Sequence, residues 1–360
     1  MREFKMDGKM NAIVMNAANS ISLEKIDIPT PNDDEVLCLV EAVAICGSDI
    51  KFIKGDTIGS WPPYVPFILG HEWSGTVAET GRNVKNLKIG DRVAGEAHSG
   101  CGFCKNCKKG RYNLCLNYGD EEAGHRHYGH KSTGAYAQYG VFYNKSLTKL
   151  PGNVSFAEGA VLDAAGTGLH LIDQTGVSAG GNVVVIGPGP IGMITAAIAK
   201  ALGASNIIMV GRGSRLKRAS ELCADTVIDF EKEDVIRHVM EFTDGIGADE
   251  VFECSGAKGT LNQAIQIARK GGRIGIVGLP SPGNIEEVDN RKLIIDEISI
   301  YGSRANPNVS DRLLSMISSG LLDINRFITH FFSMHEYEKA FDYFANRKDG
   351  ALKVIIEPNK

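Results

Sequence analysis

The chain has 360 residues, with 39 Lys and Arg against 43 Asp and Glu and a formal charge of −4, a balance that argues against nucleic acid or an anionic membrane as a partner. Apolar residues make up 43% and charged residues 23%, as in ordinary globular proteins, which excludes disordered and fibrous classes. The length suggests two domains. Residues 1–9 have no apolar core, so no export signal is read there. From about residue 10 to 150, short apolar runs such as 35–41 and 73–79 are interrupted by Gly, Pro, Asn and Asp, a β-rich, loop-rich texture. From about 155 to 300, β-branched runs alternate with helical patterns. Strands are read at 182–187, 206–210, 226–229, 250–254 and 273–278, and helices at 191–202, 214–223, 234–242 and 260–269. This alternation predicts a doubly wound parallel α/β sheet. Helices at 310–319 and 334–346 and a closing strand at 352–356 follow. The most apolar stretch, 183–199, is broken by Gly187-Pro188-Gly189-Pro190 and reads as strand, turn and helix, not as a membrane span. A cytoplasmic protein is expected, its eight cysteines serving as reduced thiols or metal ligands.

Gly187-Pro188-Gly189-Pro190-Ile191-Gly192 fits G-x-G-x-x-G, and it leaves an apolar strand to open a helix. In that context the first glycine makes the tight turn, the second lets backbone approach a pyrophosphate, and the third lets helix and strand pack closely. The helix N-terminus faces the phosphate charge. The next strand ends in Gly211-Arg212-Gly213-Ser214-Arg215, without the carboxylate that receives the ribose hydroxyls of NAD. Two cations at a helix N-terminus oppose its dipole and ask for an anion. Gly211, Arg212, Ser214 and Arg215 therefore suit a 2′-phosphate, so NADP is the expected cofactor, with NAD possible.

Cys101, Cys104, Cys107 and Cys115 place four thiols within fifteen residues, among glycines and lysines that offer no core to fill. Four thiolates suit a closed, structural zinc; an iron–sulfur cluster also uses four cysteines, but the short isolated module favours zinc. Upstream, Cys46 in Ala44-Ile-Cys-Gly-Ser-Asp49 precedes Gly70-His71-Glu72. Cys, His and Glu can each ligate zinc, and a three-ligand site leaves a position for substrate.

Together, Ile45-Cys-Gly-Ser-Asp49, Gly70-His-Glu72, Gly90-Asp-Arg-Val93, the four-cysteine lobe and the 187–192 turn resemble the zinc-containing medium-chain dehydrogenases/reductases over nearly the whole chain. The similarity is greatest to the polyol (sorbitol-like), sugar-alcohol-phosphate and threonine dehydrogenase branch. The resemblance implies a Rossmann domain at 159–303 inserted in a GroES-like, β-rich catalytic domain formed by 1–158 and 304–360, with the structural zinc lobe at about 95–118. It implies two zincs per chain. The catalytic one would be held by Cys46, His71 and a carboxylate read as Asp163, with Glu72 beside it and able to exchange onto the metal. Polyol enzymes usually carry Glu-Pro where this chain has Asp163-Ala164, and the Asp is similar to the threonine branch.

The chemistry implied is that of zinc as a Lewis acid on the oxygen of a small alcohol or ketone, with hydride exchange at a nicotinamide. By resemblance Ser48 relays the proton, while Asp49 braces the loop. A homotetramer or homodimer is expected, with the strand 297–301 contributing an edge. His125, His127 and His130, with Arg126 and Lys131, form an unusual loop that can serve an anionic or polyhydroxylated substrate, a solvated surface or a subunit contact. His98 stands where threonine dehydrogenases also carry a His, which supports L-threonine 3-dehydrogenase-like chemistry as an alternative to a polyol enzyme. A non-catalytic NADP-binding protein is the alternative from another class, although it would not need Cys46, Ser48 and His71 together.

Overall fold

A computed structural model of the chain describes residues 8–55, 57–281 and 283–360. Residues 1–7, part of the segment read as lacking an export signal, lie outside the described residues. The chain divides into two compact units, one of residues up to Asp163 with Ser310–Ser318 and Ile328–Lys360, the other of Ala164–Val309 and Ser319–Phe327.

The first unit opens with the antiparallel hairpin β1 (Lys9–Ala17) and β2 (Ser20–Asp27). Next come β3 (Glu35–Ala44), the short helix α1 (Gly47–Lys54), β4 (Glu72–Thr80) and β5 (Arg92–Gly95). Two short strands, β6 (His98–Ser99) and β7 (Arg126–His127), pair with each other across the cysteine segment. The strands β8 (Tyr139–Tyr143) and β9 (Leu147–Lys149) follow. Ser155 then caps α2 (Phe156–Ala160), its hydroxyl accepting from the Glu158 N–H while Glu158 reaches back. The helix α3 (Leu162–Thr175) carries Asp163 in its first turn.

The second unit is built on β10 (Asn182–Ile186), α4 (Pro190–Ala201), β11 (Asn206–Gly211), α5 (Gly213–Leu222), β12 (Thr226–Asp229), α6 (Val235–Phe242), β13 (Ala248–Glu253), α7 (Thr260–Ile267), β14 (Ala268–Ile276), α8 (Asn290–Ile295) and β15 (Ser299–Gly302). Its six strands run in the order β12-β11-β10-β13-β14-β15, and every adjacent pair is parallel. The central strands are continuous Val, Ile and Met runs because helices cover both faces. This is the doubly wound sheet that the alternating pattern predicts. The sequence reading carries the helix at 260 through Arg269, but it ends at Ile267. Ala268 already pairs with Ala248, and Gly271, at φ 68°, bends the chain onward into the strand.

The chain returns to the first unit with α9 (Ser310–Ser318), β16 (Ile328–Ser333), α10 (Tyr337–Asn346) and β17 (Lys353–Glu357). A sheet in the order β16-β17-β3-β4-β5-β9 results, with β8 also pairing with β3. The strand β3 is buried almost throughout, and its end sets the site. Ala44 lies opposite Glu72 on one side and Ile355 on the other, so Glu72 and Lys353 approach from the two strands that flank β3. Among the described residues no helix is long and apolar enough to cross a membrane.

Candidate metal and dinucleotide sites

Cys46 stands immediately before α1 in extended backbone, at φ −102° and ψ 155°. Its N–H donates to Asp49 Oδ2 at 2.9 Å, and the Tyr136 hydroxyl donates to the same oxygen at 2.8 Å. Asp49 is fully buried, and its other oxygen lies 3.6 Å from His71 Nδ1. The start of α1 and the start of β4 thus converge, and one donor atom each from Cys46, His71 and Glu72 lies within 4.8 Å of the other two. Thiolate, imidazole and carboxylate are the donor types of a zinc site, so these residues fit the metal.

Asp163 falls outside that group of three. It is half-buried, accepts from the Ala97 N–H, and feels His71 and Lys353 electrostatically. Burial raises its carboxyl above the ordinary range, and those two neighbours oppose the rise. Burial also disfavours the Asp49 anion, but facing His71 and accepting hydrogen bonds outweigh it and hold that carboxyl below its usual value. Glu72 has its carboxyl raised by burial against the pull of Lys353 and His71. Ser48 has a buried Oγ with no hydrogen-bond partner among the described residues, the state of a hydroxyl that waits for one.

In the lobe, Cys101, Cys104, Cys107 and Cys115 bring their sulfurs within 4.8 Å of one another, with 3.9 Å between Cys101 and Cys107 and 4.0 Å between Cys104 and Cys115. Sulfurs about 2.3 Å from a tetrahedral zinc stand roughly 3.8 Å apart, so the four fit that ion and no disulfide joins them. The N–H groups of Cys107 and Leu116 donate to Cys104 Sγ at 3.4 and 3.5 Å and lower its thiol to about 6, as a thiolate ligand requires. Lys145 Nζ donates to the Gly100 carbonyl beside this cluster. Glu96, buried where β5 leaves for the lobe, accepts from the hydroxyls of Tyr112 and Ser310.

In the second unit the glycine turn connects β10 to α4, with Gly187 at φ 109°. A Cβ on Gly192 would overlap the Gly187 carbonyl oxygen, whereas one on Gly189 would meet nothing, which leaves that backbone open to a phosphate. Pro190 and Ile191 open α4 behind Gly189. Arg212, Ser214 and Arg215 gather at the start of α5, which has no acidic residue in its first turn. Arg212 is paired with Glu231 and lies 5.7 Å over the Phe230 ring. Gly211 has a steric role as well. A Cβ there would overlap the Pro188 ring, so packing against the phosphate turn also calls for glycine at this position.

The histidine loop is not a solvated surface, because His98, His125, His127 and His130 are all buried. Sequence reasoning missed Lys353, 2% exposed, whose Nζ pairs with Glu72 and donates to the Ile45 carbonyl oxygen at 3.2 Å. The signal was a lysine in an otherwise apolar closing run. Phe52, Trp61 and Tyr136 were missed as well, since aromatic residues in loops and short helices carry no distinctive spacing.

Two family models match the chain, the alcohol dehydrogenase GroES-like domain over residues 32–152 and the zinc-binding dehydrogenase over residues 190–319. The chain is 34% identical to a sorbitol dehydrogenase of Bacillus subtilis (strain 168), covering 98% of both chains. It is also 34% identical to an L-threonine 3-dehydrogenase of Bacillus velezensis, covering 98% of this chain and 100% of the other. A Sinorhizobium meliloti 1021 protein crystallised with NADP superposes with a TM-score of 0.88 at 30% identity, over 97% of this chain and 99% of its own. The chain therefore belongs to the zinc-binding alcohol dehydrogenase family, with a GroES-like domain and a Rossmann-type domain. It is an oxidoreductase acting on CH–OH groups, and the non-catalytic alternative falls away.

Proposed function

We propose that this protein interconverts a secondary alcohol of the polyol or sugar-alcohol class, phosphorylated or not, and its ketone, using one catalytic and one structural zinc and NAD(P). The observation that carries the reading is the convergence of Cys46, His71 and Glu72 on one point, beside the unpartnered Ser48 hydroxyl. When bound, zinc supplies Lewis acidity toward the alcohol oxygen, and the nicotinamide supplies the two-electron acceptor. Cys46 and His71 would hold the metal, Asp163 or Glu72 would serve as third ligand, and the Asp49 carboxylate, 3.6 Å from His71 Nδ1, would steady that ring electrostatically. Ser48 Oγ would relay the proton that the alcohol releases, accepting it as its own hydroxyl proton passes on toward solvent. Lys353 offsets the negative charge of the thiolate and carboxylates around it. Four thiolates from Cys101, Cys104, Cys107 and Cys115 hold the second zinc.

The turn Gly187–Gly192 cradles the pyrophosphate, and Arg212, Ser214 and Arg215 receive a 2′-phosphate, which favours NADP over NAD. The NADP-bound relative supports this choice. L-threonine oxidation is the second reading, favoured by the L-threonine 3-dehydrogenase relative at the same 34% identity. A homodimer or homotetramer is supported by β15, which leaves one edge of the six-stranded sheet open with Ile300 and Tyr301 exposed. A monomer by light scattering at micromolar concentration would contradict that. Cytoplasmic residence is supported by eight cysteines without a disulfide. The deciding experiment is NADP and NAD reduction over polyols, sugar-alcohol phosphates and L-threonine, and failure with all three groups would overturn the reading.

A further inference from the structure

The loop 124–131 carries its imidazoles inward, where they form an ordered stack with His98. His98 and His127 stack with ring centroids 3.9 Å apart and planes 16° apart, and His127 and His130 stack at 3.9 Å and 11°. His130 ends the stack against His71, with centroids 4.5 Å apart and planes at 64°. Phe52 and Trp61 stand edge-on around the His130 ring at 4.9 and 5.9 Å, and Trp61 also meets His127 at 6.3 Å. A continuous wall of rings therefore begins at a metal donor.

Hydrogen bonds fix this wall. His130 Nδ1 lies 3.2 Å from the Tyr128 carbonyl oxygen, which only accepts, so Nδ1 carries the hydrogen and Nε2 is the acceptor of the neutral ring. His127 Nδ1 is 2.6 Å from the Tyr118 hydroxyl. The guanidinium of the loop is engaged elsewhere. Arg126 donates to the carbonyl oxygens of Glu121 and His125 at 2.7 and 2.9 Å, with its guanidinium 5.0 Å over the Tyr143 ring. The Lys131 stem runs past Gly119. Recognition of a phosphate or an amino-acid carboxylate calls for a guanidinium or ammonium group. Imidazole nitrogens held beside a metal donor, their faces covered by stacking, instead suit the hydroxyls of an uncharged polyhydroxy alcohol.

We infer that His130, backed by His127 and flanked by Trp61, is a specificity-determining residue of the metal site and selects an uncharged polyhydroxy alcohol. This rests on the reading of Cys46, His71 and Glu72 as the catalytic centre. The test uses the zinc-loaded enzyme, wild type, His130→Phe and His130→Gln, with xylitol, sorbitol, a polyol phosphate, L-threonine and 2-butanol. His130→Phe keeps a ring in the stack and removes both nitrogens. Its ratio of kcat/KM for the best polyol over that for 2-butanol should fall about tenfold, the loss lying in KM more than in kcat, as for a hydrogen bond made to bound substrate. Polyol titrated against the protein's tryptophan emission should show the same weakening, and His130→Gln should recover part of it. A wild type that prefers the polyol phosphate or L-threonine, or a ratio that moves less than about threefold in His130→Phe, overturns the inference while leaving the catalytic centre standing. A wild type that oxidises none of these compounds overturns both.

Discussion

Lys353 and Glu72, each 2% exposed, form an ion pair directly behind the Cys46 and His71 donors, although 281 positions separate them in the chain (353 − 72). Burial alone would lower the Lys353 ammonium, but Glu72, Cys46 and Asp163 outweigh it and raise it. Lys353→Met leaves a carboxylate buried without its cation, which costs about 3–5 kcal/mol. Urea unfolding should show a loss of that size, largely recovered in the double variant Lys353→Met/Glu72→Leu. A loss below about 1 kcal/mol would mean that the pair is exposed in solution.

Glu96 sets a pH dependence. Burial raises its carboxyl to about 7, against hydrogen bonds from Ser310 and Tyr112. The folded state therefore holds this proton more tightly than the unfolded chain. Its contribution is fully present below the ordinary carboxylate range of about 4.5 and is lost as pH rises through about 7. Glu96→Gln, which accepts from one hydroxyl and donates to the other as the protonated carboxyl does, without the charge, should flatten the fall in urea midpoint between pH 5 and 8. At 1.36 kcal/mol per unit the effect is up to about 3 kcal/mol. Identical pH profiles for wild type and variant would refute this.

Arg212 and Gly211 separate two ideas about cofactor choice. Arg212→Ala should weaken NADP about tenfold more than NAD, as expected for one charge-assisted bond to phosphate. Gly211→Asp should weaken both cofactors together, because its side chain meets the Pro188 ring of the phosphate turn. Dissociation constants for both cofactors check this. A clean switch to NAD in Gly211→Asp would show that the turn can move aside.

The proposed lobe zinc has its own test. Cys104 accepts two of the N–H to sulfur bonds and is the thiol lowered to about 6. Cys104→Ser should lose one zinc per chain by metal analysis and expose the lobe to early proteolysis. Retention of both zincs would show that three sulfurs suffice.

Much of this was legible in the residues. The parallel sheet announced itself because its strands are buried on both faces and read as unbroken β-branched runs, as in Val183-Val184-Val185-Ile186. The cysteines and the glycine turn act over short spacings, which a sequence displays directly. The hairpin of β1 and β2 and the strand β16 escaped because half-exposed strands mix polar with apolar residues. Lys353, Glu96 and the stacked histidines escaped for another reason. Their meaning lies in partners far along the chain, such as Glu72, Ser310 and His71, and no local pattern encodes those pairings. Gly211 was legible as a glycine but not as a neighbour of Pro188.

The central claim is that Cys46 holds the metal on which the oxidation depends. The most direct test is turnover of a secondary alcohol by Cys46→Ser, with zinc counted in the same preparation. The account predicts a folded protein that keeps the lobe zinc, loses the other and shows turnover lowered by at least about a thousandfold, about 4 kcal/mol of transition-state stabilisation. Near wild-type turnover in Cys46→Ser would contradict it.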